Sequence, residues 1–254
     1  MKIAACWLLL MFASTVFAEE GSKRWSGDSE LGLVKTSGNS NSESLKARQS
    51  LVFDARPWRN TLKMEATNVS SETTDATTGA KVEQRTSEKY YASEQVDYFF
   101  TDRSYSFLRA TFDKNRFSGF DSQVTTLLGY GRTLLDNDAI DMKMEVGFGQ
   151  SRDRIDACSA LPCDPDAGEA HRSGLAYLSE ELEWHLTEHS GLGQSLSVEE
   201  TRDDRKSRFL LFLKSQLLNS LAMKVAYSLK HSDEVPTGQR HKDEELTASL
   251  VYSF

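Results

Sequence analysis

Apolar and polar residues alternate along most of the chain beyond residue 28, in runs that are separated by polar segments. In the clearest run, 140–149, every second residue is apolar: Ile140, Met142, Met144, Val146 and Phe148. A period of two is typical of a β-strand with one apolar face, and none of these runs has a sustained helical period. About twelve such runs follow one another, and the pattern therefore predicts an all-β fold.

The segments that connect these runs alternate between short and long. The short connections are 55–57, 101–103, 136–138, 188–190 and 219–220. The others are mostly longer and polar, at 69–85, 154–171, 201–205 and 231–242, with tighter turns at 38–41 and 119–121. Outer-membrane barrels pair short periplasmic turns with longer outer loops and have even strand numbers. We therefore predict a transmembrane antiparallel up-and-down β-barrel of about twelve strands.

The first residues have the features of a secretory signal peptide. Lys2 precedes an apolar run that is too short for a spanning helix, and small residues follow it. We predict cleavage between Ala18 and Glu19, with residues 1–18 as the signal peptide and 19–254 as the barrel domain. No later stretch approaches the roughly 20 apolar residues of a membrane helix. The predicted location is the cell outer membrane.

In hydrocarbon, every backbone polar group needs a partner, so we expect the last strand to close the barrel against the first. Tyr252 and Phe254 then belong to an aromatic girdle at the periplasmic interface. Five further aromatic residues lie near short connections and are predicted for the same girdle: Trp58, Tyr98, Phe100, Tyr105 and Trp184.

Two acidic residues oppose this assignment. Glu94 and Glu180 fall on the apolar side of their strands, where an acid near the middle of the membrane is destabilising. A β-bulge that resets the register, or a position near the interface, would remove the conflict. A secreted β-sandwich also alternates in this way. The asymmetry of the loops favours the barrel.

Several segments resemble a known family. They are the stretch 35–45, which contains Gly38-Asn39-Ser40, then Trp58-Arg59-Asn60, and Gly129-Tyr130-Gly131-Arg132. In order and spacing, they resemble the YdiY-type family called salt-induced outer membrane proteins. The resemblance implies an outer-membrane barrel in the envelope or salt-stress response, and it supplies no catalytic residue and no substrate. The terminal aromatic residue resembles the signal that the barrel-assembly machinery recognises, so lipid and this machinery are the implied partners.

Function should reside on the inward, polar face of the strands. Seven charged residues of mixed sign are predicted to face the lumen: Arg48, Lys63, Glu65, Arg109, Lys143, Glu145 and Lys224. They could form a self-neutralising network that fills a narrow barrel, as in a structural or stress-response envelope protein. They could equally line a narrow, porin-like channel for small solutes or ions and tune its selectivity.

Other functional classes find less support in the sequence. The chain has 30 Lys and Arg against 38 Asp and Glu, and this acidic balance argues against a nucleic-acid partner. No His-Glu-x-x-His, Gly-x-Ser-x-Gly or phosphate-loop motif occurs, so we predict no enzyme, no cofactor and no metal, with a barrel-borne hydrolase as a weaker alternative. Cys158 and Cys163 are expected to form a disulfide in the oxidising envelope.

Overall fold

Twelve antiparallel strands form one closed barrel in the computed structural model, which describes residues 24–37, 42–74, 81–115, 120–155, 168–235 and 240–254. The strands are β1 (Trp25–Ser37), β2 (Ser42–Ala55), β3 (Trp58–Thr74), β4 (Lys81–Phe99), β5 (Ser104–Asn115), β6 (Phe120–Asp136), β7 (Ile140–Ile155), β8 (Ala170–Thr187), β9 (Ser190–Thr201), β10 (Arg205–Leu218), β11 (Leu221–Ser232) and β12 (Lys242–Ser253). Each strand pairs with its neighbours in the chain. The predicted barrel is confirmed.

The barrel closes between β1 and β12. Leu31 lies opposite Leu250, and the ladder runs from Asp28 to Ser37 on the first strand. At its end, Gly27 N donates to Phe254 O at 3.1 Å and Phe254 N donates to Gly27 O at 3.0 Å. Closure gives the backbone groups of the edge strands the partners that hydrocarbon cannot supply.

The two ends of the barrel differ. The five short connections and both described termini lie at one end, called here the turn end, and the opposite end is the loop end. In outer-membrane barrels, the turn end faces the periplasm. The predicted loop at 69–85 is wrong, because β3 and β4 continue pairing as far as Thr74 and Lys81. A strand beyond the membrane is wet on both faces, so its alternation disappears while its backbone pairing continues.

Two predicted features lie outside the described residues. The signal peptide with its cleavage site at Ala18 and Glu19 is one, and the disulfide between Cys158 and Cys163 is the other. Both stay predictions. No helix in the described ranges is long and apolar enough to cross a membrane.

The outer surface carries a broad apolar belt. Large apolar side chains are exposed on nearly every strand, among them Leu33, Leu45, Leu108, Leu128, Phe148, Leu178, Leu196, Leu213, Met223 and Leu250. A soluble monomer rarely exposes so large a contiguous apolar surface, whereas a membrane barrel requires it. Near the turn end, aromatic rings pair on this surface: Trp58 with Tyr98, Phe100 with Tyr130, and Tyr252 with Phe254.

Tyr105 does not belong to this girdle, and its prediction is wrong. Its side chain is only 3% exposed and points into the barrel, where its ring packs 4.9 Å from that of Phe99. Glycines of β6 make room for this inward packing. A Cβ atom at Gly131 would overlap the Tyr105 ring, and one at Gly129 would overlap the Phe107 ring. The Gly-x-Gly pair therefore allows two aromatic side chains to lie flat against the neighbouring strand.

Replacing Gly131 with alanine is expected to destabilise the barrel by about 1–3 kcal/mol, because overpacking forces the Tyr105 ring out of place. Gly174→Ala is the matched control, since a Cβ at Gly174 has nothing within 4 Å. Urea unfolding in lipid vesicles measures both free energies of unfolding. Equal stability of the two variants would contradict this packing.

Glu94 and Glu180 keep their place on the outer face. The ladders through both residues are unbroken, so the alternative of a bulge at either position is wrong. Glu94 lies midway between the exposed Tyr90 and Tyr98 of β4, which places it within the belt rather than at an interface. Each carboxylate accepts one hydrogen bond from an adjacent strand: Glu94 from Asn60 Nδ2 at 3.1 Å, and Glu180 from Gln194 Nε2 at 3.3 Å.

Candidate functional site

One long cavity passes through the interior of the barrel. Its volume is about 970 Å³. Lys89, Asn115 and Asp243 line it near the loop end, and Asp102 and Asp136 line it at the turn end. Five of the predicted lumen residues border this cavity: Arg48, Lys63, Glu65, Lys143 and Lys224. Charged side chains therefore lie along the length of the cavity, together with apolar ones such as Phe99 and Phe212.

The other two predicted lumen residues, Arg109 and Glu145, meet in a buried network on one wall. The Glu145 side chain is 2% exposed, and its carboxylate pairs directly with the Arg109 guanidinium. It also accepts hydrogen bonds from Tyr105 OH at 2.9 Å and from Gln95 Nε2 at 3.0 Å. Arg109 in turn donates to Tyr177 OH at 2.7 Å. Four strands, β4, β5, β7 and β8, are joined by these contacts.

Apolar side chains surround this network and thicken the wall. Phe99, Tyr105, Phe107, Leu127, Leu175 and Tyr177 form one buried cluster on the inner face of β4, β5, β6 and β8. The cluster excludes water from part of the lumen. It narrows the interior on this side, and the 970 Å³ cavity continues beside it.

A second network lies across the seam where the barrel closes. Glu30 accepts hydrogen bonds from Ser249 Oγ at 2.6 Å and from Lys224 Nζ at 3.1 Å, and Arg48 Nη1 is 3.8 Å away. Arg48 Nη2 also donates to Glu65 Oε2 at 2.9 Å. These contacts tie β1, β2, β3, β11 and β12 together.

Lys46 extends the seam network towards the loop end. Its Nζ is 2.8 Å from Glu65 Oε1 and also pairs with Glu245 of β12. Lys143 Nζ forms a separate pair with Glu181 Oε2 at 2.9 Å on β7 and β8. Most acidic side chains in the middle of the lumen are thus paired with a basic side chain on another strand. This pairing offsets the desolvation cost of placing these charges inside the barrel.

The alternation of β1, β2, β10, β11 and β12 contained a further set of lumen residues that sequence reasoning missed. Glu30, Lys46, Arg208, Lys230 and Glu245 all border the cavity. Arg208 lies directly opposite Lys230, as Lys214 does opposite Lys224, so the inner face of β10 and β11 is basic. Period two would have found these residues. Their partners would not have been found, because the alternation within one strand does not determine the register in which it pairs with another.

No group of three or more His, Cys, Asp or Glu within the described ranges could hold a metal ion. The charged groups of the two networks pair with one another. These pairs join the strands and set the distribution of charge in the lumen.

Comparison with known proteins agrees with the fold. The chain is 28% identical over 236 residues to the uncharacterized protein YdiY of Escherichia coli (strain K12), covering 91% of this chain and 84% of YdiY. Among solved structures, it is similar to the NanC porin, with a TM-score of 0.56, 7% identity, and coverage of 88% of this chain and 98% of that one.

The translocator domain of the autotransporter NalP from Neisseria meningitidis is also similar. Its TM-score is 0.53 at 12% identity, with coverage of 99% of this chain and 96% of that one. A porin and a translocator share this architecture, so the fold does not by itself decide the function. With its apolar belt and closed sheet, the protein is an outer-membrane β-barrel.

The match that identifies the family covers much more of the chain than the short motifs noted above. Residues 29–254, from the first strand to the last residue, match the family described as "Protein of unknown function, DUF481". The match spans the whole barrel, and it agrees with the YdiY-type resemblance found in the sequence. The chain therefore belongs to the DUF481 family.

Proposed function

We propose that the protein is a narrow channel that lets small polar solutes or ions cross the outer membrane. The observation that carries this proposal is the cavity of about 970 Å³, whose lining includes residues of both barrel ends. Charged and hydroxyl side chains lie along it beside apolar ones such as Phe212, and the charged groups favour water and polar solutes in the lumen. The paired charges offer a permeating solute fixed sites of both signs.

The competing function is structural: a barrel that reinforces the envelope and transports nothing. The inward wall of Phe99, Tyr105, Phe107 and their neighbours favours it, because packed side chains occupy part of the lumen. On the resemblance in sequence, we link either role to envelope or salt stress. The proposal contains no catalytic step and no cofactor.

We also propose that Tyr252 and Phe254 present the C-terminal signal to the barrel-assembly machinery. Both rings lie on the outer surface near the turn end, 6.2 Å apart and stacked. A surface position next to the closing strand leaves them accessible while the barrel is being assembled.

Single-channel recording tests the channel. The refolded protein, inserted into a planar bilayer, is expected to give discrete conductance steps in potassium chloride. Ser197→Trp places a large ring in the cavity that Ser197 lines, so its steps should be smaller. Ser207→Trp is the matched control, because Ser207 lies between the inward Lys206 and Arg208 and so faces outward.

Two results would contradict the channel. One is inserted protein that conducts no current, which would favour the structural barrel. The other is a Ser197→Trp variant whose steps equal those of Ser207→Trp. A conductance that does not change when the lumen is narrowed does not run through the lumen.

A further inference from the structure

The outer face of β7 and β8 carries three arginines just above the apolar belt, at the loop end. Arg152 and Arg172 lie directly opposite each other in the ladder, and Arg154 follows two residues further along β7. All three side chains are exposed and alternate with inward residues such as the buried Ser151. Below them on β7, the same outer face presents Phe148, which is 67% exposed.

This arrangement does not stabilise the isolated sheet. Like charges directly opposite each other on one face of an antiparallel pair are destabilising. Arg152 also lies opposite the exposed Val124 of β6, at the upper edge of the belt. No acidic group within the described ranges comes within 4.0 Å of Arg152, Arg154 or Arg172, nor does any of them donate a side-chain hydrogen bond there.

Other bases at the loop end behave differently. Lys114 pairs with Asp121 at 3.5 Å, Arg205 with Glu200 at 2.5 Å, and Lys242 with Glu244 at 2.6 Å. The chain as a whole has a formal net charge of −8. Within the described ranges these bases are neutralised, whereas the three arginines stand together with no acid beside them, so a counter-charge from another molecule can bind there.

The position of the cluster determines which counter-charge is available. The loop end of an outer-membrane barrel faces the cell exterior, so the rim of the belt on this side meets the lipid headgroups of the outer leaflet. Guanidinium groups bind phosphate with two parallel hydrogen bonds and stay charged at all relevant pH values. Basic clusters at the membrane surface attract anionic headgroups in the same way.

We propose that Arg152, Arg154 and Arg172 form a binding site for a phosphate-bearing lipid headgroup of the outer leaflet. The two opposed arginines hold phosphate oxygens between β7 and β8, and the acyl chains lie along the apolar surface that continues down to Phe148. Arg154 adds a third positive charge on the side away from the belt. The site is independent of whether the lumen conducts.

The test compares the thermal unfolding of the full barrel in phosphatidylcholine vesicles with and without lipid A, a lipid that carries two phosphates. Lipid A is expected to raise the unfolding temperature of the unaltered protein, since a ligand that binds only the folded state stabilises it. The Arg152→Gln/Arg172→Gln double variant should lose most of that shift. Arg132→Gln is the matched control, because Arg132 is an exposed residue near the opposite end of the barrel, and its shift should be kept.

Two additions separate the possible sources of the effect. Dephosphorylated lipid A should give no shift, and neither should inorganic phosphate added to phosphatidylcholine vesicles, because the site combines phosphate with the apolar surface below it. An equal shift in the double variant and in the control would overturn the proposal. So would an equal shift with the dephosphorylated lipid.

Discussion

Arg109→Leu is expected to lower the free energy of unfolding by about 3–5 kcal/mol, the cost of leaving a buried charge without its partner. Glu145, which is only 2% exposed, would keep its hydrogen bonds from Tyr105 and Gln95 but lose its ion pair with Arg109. Tyr177 would also lose the donor at 2.7 Å. Urea unfolding in lipid vesicles, followed by the fluorescence of Trp25, Trp58 and Trp184, measures the loss.

Two controls isolate the cause. Arg56→Leu removes an exposed pair with Asp54 at 3.2 Å and the contact of its guanidinium with the Phe99 ring at 3.6 Å, and it should cost at most about 2 kcal/mol. The double variant Arg109→Leu/Glu145→Leu removes both charges, and it should be more stable than Arg109→Leu alone, because apolar replacement of a whole buried pair is tolerated. If Arg109→Leu resembled Arg56→Leu, the network would contribute little to holding β4, β5, β7 and β8 together.

This network also shows what the sequence can and cannot predict. The alternation in β7 predicts that Lys143 and Glu145 share the inner face, since they are two residues apart. Their partners come from distant strands: Arg109 is 36 residues from Glu145, and Tyr177 is 68 residues from Arg109. Contacts of this kind depend on the register of every intervening pair and on barrel closure, which no local pattern records.

Errors in the prediction have the same origin. The period of two in β5 places Leu108 outward and Arg109 inward, and it places Tyr105 inward as well. Tyr105 was assigned to the girdle from its distance to a turn, whereas its parity with Phe107 decides its side. The extension of β3 and β4 beyond residue 68 was missed, because strands that leave the membrane lose the apolar alternation that reveals them.

Glu94 is an exception to the apolar alternation of β4, and it offers a test of whether the outer face contacts lipid. Glu94 lies on the outer face within the apolar belt, and its carboxylate accepts a hydrogen bond there from Asn60 Nδ2 at 3.1 Å. In water, this exposed pair would be nearly neutral in its effect on stability. In lipid, both groups are desolvated, and an acid on this face destabilises the barrel.

Asn60→Leu/Glu94→Leu is therefore expected to raise the free energy of unfolding in lipid vesicles by about 1–2 kcal/mol, because both polar groups leave the hydrocarbon together. Glu94→Leu alone should gain less, since it leaves the Asn60 amide without its acceptor. Glu65→Leu is expected to change the free energy of unfolding in the opposite direction. Its carboxylate faces the lumen and pairs with Arg48 and Lys46, so its removal should destabilise the barrel. Loss of stability in the Asn60→Leu/Glu94→Leu variant would contradict a lipid-facing position for this pair, and it would mean that a polar surface covers this side of β3 and β4.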